Sequence, residues 1–202
     1  MKSRETNGPA RIAALISGGG RTLLNLIDTI DAGQLNACVP VVIASRPCPG
    51  VERARPRVPE VLVMPGRIPV ATLGEVLSAR QIDWVVLAGY LQLVNIPPAF
   101  RGKIINIHPA LLPKHGGPGM HGHHVHQAVL ASGDAESGCT VHFADDTFDT
   151  GATILQKRCP VLPGDTPDAL AARVFALELE ALPEAMAMLI GQGPGLSRGV
   201  AR

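Results

Sequence analysis

Asn106 and His108 stand two residues apart in the apolar run KIINIHP (103 to 109). An extended chain has a side-chain period of two, so both side chains leave one face. Two polar groups in such a run need partners or a ligand. An amide beside an imidazole suits acyl transfer: Asn106 can donate to a developing oxyanion, and His108 can move or stabilise the proton involved. A carboxylate for that imidazole is available in DDTFDTGA (145 to 152), which holds Asp145, Asp146 and Asp149. One of them can orient His108 and favour its charged form. Asp and Gly are also ordinary turn residues, so a solvated turn is the plainer use of this stretch.

SGGGRTLL (17 to 24) offers a second kind of chemistry. Gly18, Gly19 and Gly20 let backbone N–H groups converge on a ligand without a side-chain clash. The helix expected to follow supplies free N–H groups and a positive dipole end, with Arg21 and Thr22 adding a charge and a hydroxyl. Phosphate is the usual occupant of such a site. The pattern is neither GxGxxG nor a triphosphate P-loop. A tight strand-to-helix turn without a ligand is the competing use.

Six of the seven histidines fall between 106 and 126; His142 is the seventh. The spacing of His115, His121, His123, His124 and His126 matches no zinc pattern, so no metal is expected. Gly116, Gly117, Gly119 and Gly122 in the same stretch suggest hinges of a loop that closes over a ligand.

These groups need a scaffold. RIAALIS (11 to 17), VPVVIAS (39 to 45), VLVM (61 to 64), WVVLAG (84 to 89) and KIINIH (103 to 108) predict strands. Helices are predicted over 23 to 33, 70 to 80 and 123 to 132. Near-continuous apolar strands alternating with helices predict an α/β fold: an open, twisted, mostly parallel sheet with helices on both faces. Ligands of such sheets bind beyond the carboxyl ends of the strands. CTVHFAD (139 to 145) and ATILQKRCPVL (152 to 162) predict an antiparallel hairpin, and 167 to 190 predicts one or two helices with a break or kink at Pro183. One domain is expected over 1 to 202: a phosphate-binding half (11 to 100), a catalytic half (101 to 190) and a tail (191 to 202).

Hydrophobic residues make up 46% and charged residues 17%, ample for a core. A net charge of +1 gives no argument for nucleic acid or an anionic membrane. No apolar run reaches the length of a membrane span, and the short run near the start leads into the glycine turn rather than a cleavage site. Cys38, Cys48, Cys139 and Cys159 form no CxxC pair. Reduced thiols in a cytoplasmic protein are expected.

LAGY (87 to 90), NIHPALLP (106 to 113) and GCTVHFADDTFDTGATILQ (138 to 156), with the glycine turn, resemble the folate-dependent formyltransferases, and among them the glycinamide ribonucleotide formyltransferases of purine synthesis. The resemblance runs from about Arg11 to Ile190. It implies a Rossmann-like fold and transfer of a formyl group from 10-formyltetrahydrofolate, as cosubstrate, to glycinamide ribonucleotide through a tetrahedral intermediate, without metal. It implies Asn106, His108 and Asp149 as catalytic, with Asp149 keeping His108 charged, and Gly18 to Thr22 as the phosphate turn. Glu178 is implied for the ribose. Leu87, Tyr90, Leu91, Gln92, Leu93 and Val94, with Ala144, Asp145 and Asp146, are implied for the folate. A homodimer is compatible with it. The chain departs from the family pattern at GGGRT, at Gln92 where arginine is common, in a short stretch between Val51 and Gln81 from which a helix or turn is expected to be missing, and in the long insert HGGPGMHGHHVH. Competing readings are another folate formyltransferase or a formylfolate hydrolase, both usually carrying an added domain, a non-catalytic phosphate-ligand binding module, and a His-rich metal-binding protein.

Overall fold

The computed structural model describes residues 8–192. Seven strands form one sheet in the order β3-β2-β1-β4-β5-β6-β7. They are β1 (Ala10–Ile16), β2 (Ala37–Ala44), β3 (Val61–Val63), β4 (Trp84–Leu87), β5 (Ile104–His108), β6 (Glu136–Phe143) and β7 (Thr153–Pro160). The first five run parallel, and β6 and β7 add as an antiparallel pair. This is the expected α/β class.

Alternate residues along the central strands feed two cores. Ile12, Ala14 and Ile16 face one side with Leu23 and Leu26 of α1 (Arg21–Asp31) and Leu170, Val174 and Leu182 of α5 (Pro167–Gln192). Ala13 and Leu15 face the other, with Leu73 and Leu77 of α3 (Val70–Ala79) and Phe100. Burial on both faces is why β1 from Ile12 onward and all of β4 are apolar.

The stretch expected to lack a helix or turn contains most of α2 (Pro49–Ala54), of six residues, the three-residue β3, and α3. α4 (His123–Ser132) begins after Gly122 and ends at Gly133, where φ is 68°. His121 therefore lies outside the helix, and its ring meets that of His124 edge-on at 6.0 Å.

Of the one or two helices expected over 167 to 190, the structure has one: α5 runs through Pro183 without the break. A proline removes the N–H that would bond the carbonyl four residues earlier, here Leu179. The side-chain amide of Asn25 on α1 donates to that carbonyl at 2.7 Å. The orphaned acceptor is satisfied from outside the helix, so α5 runs on. Of the expected tail, Gly191 and Gln192 complete α5; the remainder lies outside the described residues. The four cysteines are free thiols. No helix among the described residues is long and apolar enough to cross a membrane.

Candidate active site

β1 runs into the glycine turn, and three successive carbonyls there are held from behind. Arg46 Nε donates to Ser17 O at 2.8 Å, Gly50 N to Gly18 O at 3.0 Å and Arg53 Nη1 to Gly19 O at 2.8 Å. Gly20 caps α1 in the left-handed conformation, φ 73°, and packs so closely on α2 that an added Cβ would lie 2.9 Å from Gly50 Cα. The first N–H to close the α1 ladder is that of Leu24, onto Gly20 O. The N–H groups of Arg21, Thr22 and Leu23 are left free by helix geometry. Gly18, Gly19, Arg21 and Thr22 line a cavity of about 570 Å³. Gly20 does not line it and acts instead as the pivot of the turn. Sequence reasoning missed Arg46, Gly50 and Arg53 because they reach the turn from a separate loop and helix.

β5 delivers Asn106 and His108 to the same cavity, at the carboxyl end of the parallel strands. Asn106 pairs directly with His142 across the antiparallel β5–β6 boundary. Its amide donates to His142 Nε2 at 3.1 Å and to Asp149 Oδ1 at 3.2 Å. His142 Nδ1 lies 2.9 Å from Phe143 O and takes the donor role there. With Nδ1 the donor, Nε2 serves as the acceptor, which fixes both Asn106 hydrogens. As placed, Asn106 holds the site together rather than offering a free N–H. His142, 1% exposed, is the functional neighbour whose role the strand pattern alone did not reveal.

Asp149 is the carboxylate that reaches the histidine. It sits at φ 58° and accepts from Gly117 N at 2.9 Å; its Oδ2 lies 3.5 Å from His108 Nδ1. Asp145 instead closes its own turn through Thr147 N and Thr150 Oγ1. Burial raises the Asp149 carboxyl, but His142, His108 and Gly117 outweigh it and hold it below its ordinary value.

His108 corrects the expectation of a charged imidazole. Burial lowers its pKa and prevails over Asp149 and the backbone bond, which both raise it. At 3% exposure the ring is neutral. Its Nε2 lies 2.8 Å from the carbonyl of His115, in the histidine- and glycine-rich segment. His115 Nε2 in turn meets Asp134 Oδ2 at 2.7 Å, and Lys114 Nζ meets Asp134 Oδ1 at 2.9 Å, which lowers the Asp134 carboxyl to about 2.

Glu178 faces the large cavity from α5 beside Phe175, over whose ring the Arg21 guanidinium stands at 4.0 Å. Burial raises its carboxyl to about 7, with Arg21 opposing. Leu87, Tyr90, Gln92, Leu93, Val94, Ala144 and Asp145 meet around a narrow slot of about 40 Å³ that adjoins Asn106, His142 and Asp149. Leu91 lines the large cavity instead. Asp146 does not join the slot, because its exposed carboxylate is paired with Arg101 at 3.0 Å. Among the described residues no three His, Cys, Asp or Glu side chains are grouped to hold a metal ion.

Residues 10–186 match the model of the formyl transferase family. The chain belongs to the formyl transferase family. It is 40% identical over 191 residues to the trifunctional purine biosynthetic protein adenosine-3 of Drosophila melanogaster, covering 89% of this chain and 14% of that protein. It is 33% identical to the phosphoribosylglycinamide formyltransferase of Haemophilus influenzae, covering 86% and 84% of the two chains. The crystal structure of glycinamide ribonucleotide transformylase 1 from Symbiobacterium toebii superposes with a TM-score of 0.82 at 37% identity, covering 93% of this chain and 90% of that one. The formyl transferase fold explains the shared cavity: parallel strands supply the glycine turn and Asn106–His108, and the antiparallel pair supplies His142 and Asp149.

Proposed function

We propose that this formyl transferase moves the formyl group of 10-formyltetrahydrofolate to the amine of glycinamide ribonucleotide. The supporting observation is that the glycine turn and the Asn106–His108–His142–Asp149 cluster open onto one cavity of about 570 Å³. An anion grip and an acyl-transfer cluster facing one space suit a phosphorylated substrate whose far end reacts.

In this reading Gly18, Gly19, Arg21 and Thr22 hold the phosphate, with residues 11 to 100 supplying that end of a single unit. Glu178, part protonated near neutral pH, both donates to and accepts from ribose hydroxyls. The pterin enters the slot along Leu87 to Val94. That slot is narrower than a bicyclic ring requires, so segment 144 to 149 opens to admit it. Holding both partners removes the entropy cost of their meeting, which lowers a barrier by about 7–11 kcal/mol.

The substrate nitrogen attacks the formyl carbon, and the carbonyl electron pair moves to oxygen. His108 swings Nε2–H from His115 O to that oxygen, and Asn106 turns one N–H from Asp149 to the same atom. Being neutral beforehand, His108 also has an open Nδ1 on the Asp149 side, through which a proton from the attacking nitrogen travels. The C–N bond to the folate then breaks as that nitrogen takes up the proton. The products are formylglycinamide ribonucleotide and tetrahydrofolate.

The test mixes purified protein with both substrates and follows folate deformylation by absorbance. Turnover that needs both substrates and collapses in His108→Ala supports the transfer. Folate loss without ribonucleotide indicates a hydrolase and overturns the proposal, and ribonucleotide binding without turnover indicates a binding module.

A further inference from the structure

Four histidines line the large cavity: His108, His121, His123 and His126. Three are accounted for. His108 bonds the His115 carbonyl. His123 pairs with Asp168 at 3.1 Å. His121 stacks edge-on with His124. His126 differs from them. It is 4% exposed, one turn into α4, and its Nδ1 is sealed from solvent with no hydrogen-bond partner. Nε2 bonds no group among the described residues either, and it is the ring atom left to face the cavity.

An orphaned buried N–H is costlier than an orphaned lone pair, so the sealed Nδ1 is the bare nitrogen and the proton sits on Nε2. Burial, with His123 and His108 nearby, lowers the pKa of the ring, so it stays neutral. At this point on α4 the cavity wall thus presents one donor and no charge. It stands on the helix that packs against α5, in the wall shared by His108 at the reacting end and by Phe175 and Glu178 at the ribose end.

We propose that His126 is a specificity contact, its Nε2–H donating to an oxygen of the substrate segment between the ribose and the reacting nitrogen. An amide carbonyl or a ring ether oxygen, acceptors without a donor of their own, is the chemistry that fits. This contact rests on the ribonucleotide reading given above. A polar nitrogen buried with nothing to bond is destabilising to the free chain, and a ligand oxygen is what would make its retention useful.

The test compares His126→Leu, His126→Gln and His126→Asn with the parent chain. Glutamine carries an N–H near the position of Nε2; asparagine is too short; leucine fills the volume without a donor. The Leu chain is expected to melt at or above the parent temperature, since it loses an unsatisfied nitrogen. Its KM for glycinamide ribonucleotide rises about tenfold, with kcat and the KM for the folate donor within about threefold of the parent. Gln keeps the parent KM within about threefold, and Asn does not. A purely structural role predicts the opposite, a shift in melting with KM unmoved. A Leu chain that folds and keeps the parent KM overturns the contact while leaving the transferase reading intact. If the Leu chain melts early, Gln against Asn decides, and equal KM values overturn the contact. A parent chain that neither turns over nor binds the ribonucleotide overturns the transferase reading and this contact with it.

Discussion

His108 Nε2 and the backbone carbonyl of His115 lie 2.8 Å apart, so the imidazole proton is committed to a segment seven residues along the chain. The opposite ring nitrogen faces Asp149 at 3.5 Å. The ring is therefore held through Nε2, with Nδ1 left as a bare acceptor on the Asp149 side, and its use in the proposed reaction requires the 115 to 122 segment to release it. His108→Ala is expected to lower kcat about 100–1000-fold, the usual loss for one oxyanion donor. Asp149→Asn is expected to lower it by a similar factor while leaving the fold intact. Asparagine tolerates the positive φ of 58° at this position. Steady-state kinetics beside a thermal melt checks both; an Asn chain with parent kcat would remove Asp149 from the mechanism.

The glycine turn separates a ligand role from a structural one. A Cβ on Gly18 meets nothing within 4 Å, whereas one on Gly50 lies 2.7 Å from Gly18 O and 2.9 Å from Ile16 Cδ1. Gly18→Ala is expected to melt with the parent chain yet weaken ribonucleotide binding, because the added methyl stands in the open space that the proposed reading gives to the phosphate. Gly50→Ala is expected to cost about 1–3 kcal/mol of stability through overpacking. Calorimetric titration with the ribonucleotide and urea melts of both chains would show it. Gly18→Ala binding as tightly as the parent would reduce the turn to a connection.

Glu178 makes stability depend on pH. Its carboxyl sits at about 7 in the folded chain against an ordinary 4.5, because burial penalises its charge. The folded state holds the proton more tightly than the unfolded one. The contribution is complete below about pH 4.5 and is lost as pH rises through about 7. Glu178→Gln carries no such titration. The variant should gain up to about 3 kcal/mol on the parent chain between pH 4.5 and pH 8. Melts across that range would reveal it, and parallel curves for the two chains would contradict it.

Asn25 and Pro183 form a compensating pair. Asn25→Leu leaves the Leu179 carbonyl unbonded and is expected to cost about 1–3 kcal/mol. Pro183→Ala restores an N–H to that carbonyl, so the double variant recovers most of the loss. A double-mutant cycle with additive effects would show that the two residues are not coupled.

Local patterns carried much of this site. The spacing of Asn106 and His108 placed both on one strand face, and the glycine run before an amphipathic stretch placed the strand-to-helix turn at the cavity. The helix over 123 to 132 was legible to its ends because glycines bound it. What was not legible depends on partners remote in sequence. His142 joins the site only through the register that sets it opposite Asn106. The neutral state of His108 follows from its burial, which outweighs the neighbouring carboxylate. The continuity of α5 through Pro183 rests on Asn25, which lies 154 residues from the Leu179 carbonyl that it caps.

That last bond has a consequence for selectivity. Leu179 follows Glu178 directly, and Asn25 lies one turn beyond Arg21 on α1. Tying Asn25 to Leu179 fixes the span between the N-terminal end of α1 and the acid on α5. In the proposed reading these two ends form a caliper whose gap is set by the fold, so a sugar phosphate with a longer or shorter arm would satisfy one jaw and miss the other.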